Sequence, residues 1–129
     1  MAYPANYRYT REHEWIYLEG GIGVIGITDY AQGSLGDIVY VDVPKVGDPV
    51  ASGAVFGSVE SVKAVSDLYS PVSGAIAATN DSLKDTPDQI NEKPHETWII
   101  KVELSDKSEF DNLMDAAAYE AFIAEETGH

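Results

Sequence analysis

Between residues 14 and 104 turn residues cut the chain into short β-prone runs, and this rhythm constrains the fold more than any other feature. Trp15-Ile16-Tyr17-Leu18 and the run Ile22 to Ile27 flank Gly20-Gly21, which predicts a hairpin. Ile38-Val39-Tyr40-Val41-Asp42-Val43 reads as a strand that ends at Pro44, a residue unable to donate to a sheet ladder. Gly47-Asp48 and Ser52-Gly53 are turn signals on either side of Val50. Val55 to Val59 and Val65 to Tyr69 form two more arms. Ser70-Pro71-Val72-Ser73-Gly74 breaks the run, Ala75 to Thr79 resumes it, residues 80 to 94 are turn-rich, and Trp98 to Leu104 is the last strand. Strands this short at this spacing predict an all-β barrel or sandwich. The 129 residues are expected to form one domain, 1–129. A chain of this length buries about two thirds of its unfolded surface, enough for a core without staples.

Helical patterning is confined to two places. Thr28-Asp29-Tyr30-Ala31-Gln32 predicts one helical turn with Thr28 as N-cap, stopped by Gly33 and Gly36. From Ser105 onward the chain holds seven acidic residues and one lysine. There Phe110, Leu113 and Met114 fall at i, i+3, i+4, and Tyr119, Phe122 and Ile123 repeat that spacing after a cap at Asp115. Two short helices over about 106–126 are expected, their apolar stripe packed on the barrel, with Gly128-His129 frayed.

Eight basic residues against 22 acidic ones give a net charge of −14. Nucleic acid and anionic membrane surfaces are excluded as partners, because both demand clustered Lys and Arg. The charge fits a dispersed monomer, or partners with basic docking faces. No apolar run is long enough to span a membrane, and Met1-Ala2-Tyr3-Pro4 lacks the pattern of a signal peptide, so a cytoplasmic protein is expected. The absence of cysteine removes disulfides, thiol nucleophiles and Cys-based metal sites.

Gly21-Ile22-Gly23-Val24-Ile25-Gly26 matches the dinucleotide-binding pattern G-x-G-x-x-G, yet alternating Ile and Val follow where a full helix should open, so these are read as strand and hairpin glycines. His13, His95 and His129 share no metal-ligand spacing. Glu12 and Glu14 are acid–base candidates whose plainer reading is a solvated strand edge. Lys63 stands out. In Val59-Glu60-Ser61-Val62-Lys63-Ala64-Val65-Ser66-Asp67 it lies between two β-prone arms, with carboxylates three residues before and four after. Such arms put a lysine near a hairpin tip, exposed on a rigid frame, as covalent attachment of a cofactor requires. The tip lacks the Asn-Gly or Asp-Gly signature of tight hairpins.

At these residues the sequence resembles the H proteins of the glycine cleavage system, which are lipoyl carriers. The resemblance runs from about Tyr7 to Glu126. It rests on Tyr9-Thr10-Arg11-Glu12-His13-Glu14-Trp15, Gly26-Ile27-Thr28-Asp29-Tyr30-Ala31-Gln32, Leu35-Gly36-Asp37-Ile38-Val39, Glu60-Ser61-Val62-Lys63-Ala64, Ser70-Pro71-Val72-Ser73-Gly74 and Asp115-Ala116-Ala117-Ala118-Tyr119-Glu120, all in order. It implies a lipoyl-type barrel-sandwich hybrid with short peripheral helices and a C-terminal helix. It also implies that Lys63, at a hairpin tip, carries lipoate in amide linkage.

The implied partners are a lipoate-attaching enzyme, a pyridoxal-phosphate glycine decarboxylase, a tetrahydrofolate-dependent aminomethyltransferase and a flavin dihydrolipoyl dehydrogenase. The carrier itself contributes no acid, base or nucleophile. A surface groove shelters the loaded arm, and a carboxylate there pairs with its amine. That role is implied for Glu14 first and Asp67 second, with Ile27 and Thr28 nearby. The plainer alternative has Asp67 stabilising the turn and Glu14 solvated. Pro94-His95-Glu96-Thr97-Trp98 departs from the family, whose Pro-Tyr stretch carries a glycine before the tryptophan. Some relatives also have a hydroxyl at the Glu12 position and a histidine at the Ser34 position. A biotin carrier is the runner-up on the same fold, but its lysine sits between methionines, and here Met1 and Met114 are remote. A lipoate relay scaffold and a cofactor-free acidic interaction module are the remaining alternatives.

Overall fold

The computed structural model describes residues 3–127, with Gly128-His129 outside them. Two antiparallel sheets carry the fold. The larger is built from β1 (Arg8–Tyr9), β2 (Glu14–Glu19), β3 (Ile22–Ile27), β5 (Pro49–Val50), β8 (Gly74–Thr79) and β9 (Ile100–Leu104). Its six strands run in the order β1-β2-β3-β9-β8-β5. The smaller holds β4 (Ile38–Asp42), β6 (Val55–Ser61) and β7 (Val65–Tyr69), with β6 in the middle. Both sheets contribute to one apolar core, with Ile16, Ile25 and Ile100 from the larger and Val41, Val59 and Leu68 from the smaller. The expected mainly β sandwich is what the chain forms.

Successive strand residues point to opposite faces. Trp15 and Val24 therefore turn away from Ile16 and Ile25, into a second cluster with Tyr9 and Tyr119. Burial on both faces requires a cover on the outer one, and helix α4 (Ala116–Thr127) supplies it through Tyr119, Phe122 and Ile123. Asp115 caps α4 as its position predicts, its Oδ1 accepting from the Ala118 N–H at 2.8 Å.

The glycines of the G-x-G-x-x-G pattern lie at the hairpin and in β3. Trp15 faces Gly26 across the β2–β3 pair. A methyl group on Gly26 would stand 2.4 Å from the indole, so only glycine lets the ring lie there.

Four boundaries differ from the sequence reading, each for a local reason. Helix α1 (Asp29–Leu35) passes through Gly33 and stops at Gly36, whose φ of 82° and N–H bond to the Gln32 carbonyl end it. The turn-rich stretch holds a 3-10 turn, Asp81–Lys84, and a short α2 (Gln89–Glu92). Trp98 lies before β9, its carbonyl taken by the Asn80 side-chain amide at 2.7 Å. In the tail only Ser108–Asp111 forms α3. Met114 instead exchanges two backbone hydrogen bonds with Tyr9, extending the larger sheet beside β1.

Candidate functional site

Lys63 occupies the tip of the β6–β7 hairpin, exposed to solvent and without an ion pair among the described residues. Ser61 makes the turn that the missing Asn-Gly left open. Its Oγ accepts from the N–H groups of Lys63 and Ala64 at 3.3 and 3.1 Å, and its own N–H donates to the Ala64 carbonyl at 2.8 Å. The Val62 N–H donates to the Asp37 carbonyl at 3.1 Å, tying the tip to the segment after α1. Val62 and Val65 flank the lysine at 70% and 68% exposure. The Lys63 stem passes over Gly36, where a methyl group would meet its Cε at 3.8 Å.

A cleft of about 300 Å³ lies beside this stem. One wall comes from α1, through Tyr30, Ala31, Ser34 and Leu35, and Leu35 adjoins the Gly36 that Lys63 crosses. Ser66, three residues beyond Lys63, lines it from β7. Glu12 and His13 from the turn before β2, and Glu126 from α4, complete it. The lining is partly apolar and partly polar, with two carboxylates and no lysine or arginine.

His13 is held from both sides. Its φ of 70° is a left-handed conformation that costs a residue other than glycine about 1–3 kcal/mol. Backbone bonds fix it there: its N–H donates to Thr10 and its carbonyl accepts from Thr28. Its Nδ1 lies 2.8 Å from the Tyr119 hydroxyl, which lies 2.7 Å from Thr28 Oγ1, and its Nε2 lies 3.2 Å from a Glu126 oxygen. One proton arrangement satisfies the chain: Thr28 donates to Tyr119, Tyr119 to Nδ1, and the Nε2–H to Glu126. Burial favours this neutral ring by lowering the His13 pKa, opposed by Glu126 and Glu12.

The four companions named for Lys63 do not line the cleft. Glu14 is 1% exposed, so the solvated alternative does not hold. Its Oε1 accepts from the Thr10 hydroxyl at 2.7 Å and its Oε2 from the Tyr69 N–H at 3.2 Å, which fastens β7 to the turn before β2. Burial pushes its pKa up to about 8, only partly offset by those hydrogen bonds. Ile27 is in the core. Thr28 is fully buried, capping α1 by accepting from the Ala31 N–H and backing His13 through Tyr119. Asp67 is exposed on β7, paired in register with Ser58 and not at the turn.

The divergent loop has a definite place. His95 Nε2 accepts from the Asp29 N–H at 3.1 Å, satisfying a second free donor at the start of α1. The Pro94 carbonyl accepts from the Trp15 indole N–H at 2.9 Å. The loop thus braces the helix that walls the cleft. Ser61, Ser66 and Glu126 were missed in the sequence; only Ser61 had a readable signal, a hydroxyl two and three residues before the N–H groups it binds. Among the described residues no cluster of side chains fits a metal ion.

The family of the glycine cleavage H-protein matches residues 7–126 of this chain. The glycine cleavage system H proteins of Acidobacterium capsulatum and Koribacter versatilis are 66% and 57% identical to it, each over 129 residues and the full length of both chains. The crystal structure of a glycine cleavage system H protein from Mycobacterium marinum superposes with a TM-score of 0.84 at 35% identity, covering 98% of this chain and 100% of that one. The folded frame, the hairpin-tip lysine and these relatives agree: the chain belongs to the glycine cleavage H-protein family.

Proposed function

We propose that this protein is a lipoyl-bearing carrier of the glycine cleavage system, with lipoate attached through an amide to the Lys63 amine. The observation that carries this reading is an exposed lysine, without an ion pair among the described residues, on a turn pinned by Ser61 and Asp37. The surroundings fit the group: the stem runs over a glycine, and the adjoining cleft offers an apolar side at Ala31 and Leu35 and a polar one at Ser34 and Ser66. Bound there, lipoate would supply a dithiolane that takes an aminomethyl group from a pyridoxal-phosphate glycine decarboxylase, yields it to a tetrahydrofolate-dependent aminomethyltransferase and is reoxidised by dihydrolipoyl dehydrogenase. The chain supplies no acid, base or nucleophile to those reactions. Its residues present the attachment point, tether the cargo at high local concentration and shelter it from water.

Glu14 and Thr28 enter as positioning residues, Glu14 by fastening β7 and Thr28 by backing His13. Ile27 packs beneath them in the core. Asp67, exposed one residue past the cleft-lining Ser66, is the second carboxylate near the loaded arm in this reading. The protein is taken to act as a cytoplasmic monomer that partners approach by their basic faces. Among the described residues no helix is long and apolar enough to cross a membrane.

Intact mass after incubation with lipoate, ATP and a lipoate-attaching enzyme tests the attachment. The wild type should gain one lipoyl group, mapped to Lys63. Lys63→Arg should gain nothing and melt within about two degrees of wild type, since an exposed substitution is worth less than about 0.5 kcal/mol. Lipoyl transfer to Lys63→Arg, or a biotin-sized gain from a biotin-attaching enzyme, would refute the proposal.

A further inference from the structure

The hydrogen-bond chain through His13 has a chemistry that no carrier step uses. We propose that Tyr119 is a redox-active tyrosine, which yields an electron to a one-electron oxidant such as a sulfur-centred radical while its hydroxyl proton passes to His13. The inference goes beyond the carrier reading, and its test needs no lipoyl arm.

Electron loss turns a phenol into a strong acid, and a buried ring has no water to take the proton or to solvate a cation. Tyr119 is fully buried, and burial raises its pKa, so the hydroxyl stays protonated until the ring is oxidised. A base must therefore stand at hydrogen-bond distance, and His13 Nδ1 does, at 2.8 Å. The Nε2–H is committed to Glu126 at 3.2 Å, which leaves Nδ1 as the acceptor. Burial keeps the imidazole neutral and so free to accept. Taking the proton makes it an imidazolium, a charge that Glu126 and Glu12 both favour. The step balances: the oxidant gains one electron, the Tyr119 O–H bond breaks, an Nδ1–H bond forms, and a neutral tyrosyl radical remains. A small reductant such as ascorbate returns the electron, and His13 returns the proton.

The neighbouring rings lack such a base. Tyr7 and Tyr9 donate to the His95 and Pro4 carbonyls at 2.7 and 2.8 Å, and the Trp15 indole donates to the Pro94 carbonyl at 2.9 Å. A peptide carbonyl takes no proton near neutral pH. These rings are nonetheless linked to Tyr119. Tyr9 stacks on it with 4.8 Å between ring centres and 12° between planes, and Tyr7 lies 6.5 Å from Tyr9. Tyr7 in turn meets Trp15 and Tyr17 at 4.9 and 5.0 Å. An oxidising equivalent that enters at the half-buried Tyr17 can pass from ring to ring and settles where the proton can leave. At the other end, His13 and Tyr30 line the cleft with their rings 4.7 Å apart. The web therefore joins the cleft to the outer face of β2 and draws oxidising equivalents away from whatever the cleft holds.

The test uses the full-length protein without lipoate and a photogenerated ruthenium(III) tris-bipyridine complex as the oxidant. Transient absorption and freeze-quench electron paramagnetic resonance follow the neutral tyrosyl radical. The wild type should form it in a fast phase that slows in heavy water, and Tyr119→Phe should lose that phase. His13→Asn should slow it about a hundredfold, the lower end of what a positioned base contributes. Asparagine tolerates the left-handed backbone at position 13, where φ is 70°, and its amide accepts a hydrogen bond without being a base. Glu126→Gln keeps an acceptor for the Nε2–H and removes the charge that steadies the imidazolium. It should slow the phase severalfold, and it carries the test if the His13 variant does not fold. A fast phase that survives in Tyr119→Phe would overturn the proposal. So would one that His13→Asn or Glu126→Gln leaves unchanged, or a wild-type radical that resides on Trp15.

Discussion

Burial moves the proton of Glu14 to about pH 8, so over the neutral range the folded chain holds a proton that the unfolded chain has released. The folded pKa lies above the ordinary value of 4.5. Between the two values the native state binds more protons than the unfolded state, and stability falls as pH rises. Each unit of that difference is worth about 1.4 kcal/mol. Glu14→Gln keeps an oxygen for the Tyr69 N–H and offers an amide to Thr10, whose hydroxyl has lone pairs to accept it. It removes the titration. Urea midpoints at pH 5, 7 and 9 should show the variant gaining steadily on the wild type, by several kcal/mol at pH 9. His13 and His95 titrate alike in both proteins and cancel in the comparison. Parallel curves would mean that Glu14 is ionised in the folded state. Little local announced this: Glu12-His13-Glu14-Trp15 reads as a polar strand start, and the Tyr69 N–H that engages its third member arrives on β7 from more than fifty residues away.

The β6–β7 hairpin shows what one element adds. Its arms were legible as β-branched runs, because strand preference is written in neighbouring residues. Its turn was not legible, since it carries no backbone signature and is closed by a hydroxyl instead. Ser61 substitutes for the special φ angles that Asn-Gly would provide, by binding two amides that the tip would otherwise leave open. Ser61→Ala should cost about 1 kcal/mol. More specifically, it should speed hydrogen exchange at Lys63 and Ala64 while Val59 and Leu68, deep in the pair, keep their protection. Unchanged exchange at the two tip amides would show that the Asp37 anchor alone holds the loop. The same distinction explains α1. Thr28 as its cap was legible, but Gly36 as its true end depended on a positive φ that no local pattern separates from Gly33.

At the scale of the whole molecule the sandwich was legible because strand rhythm and length leave few alternatives, whereas the cover on its outer face was only partly so. The i, i+3, i+4 stripe in the tail marked an apolar helix face, but not that Tyr119 would reach His13 and Thr28 across the width of the fold. That reach makes the end of the chain part of the cleft. The charge is the other global property. Twenty-two acidic residues against eight basic ones leave −14 on a chain of 129 residues, and among the described residues only two close pairs offset it, the Lys101–Glu19 ion pair and the hydrogen bond of the neutral His13 ring to Glu126. Folding therefore concentrates like charges that the unfolded chain spreads apart, and the compact state bears a net repulsion. Salt screens this over a Debye length that shrinks from about 30 Å at 0.01 M to about 8 Å at 0.15 M. Raising sodium chloride from 10 to 150 mM at pH 7 should increase the melting temperature by a few degrees, with most of the gain complete by the upper concentration. A chain held together by surface ion pairs would lose stability over the same range, so a fall in melting temperature would show that the described pairs outweigh the repulsion.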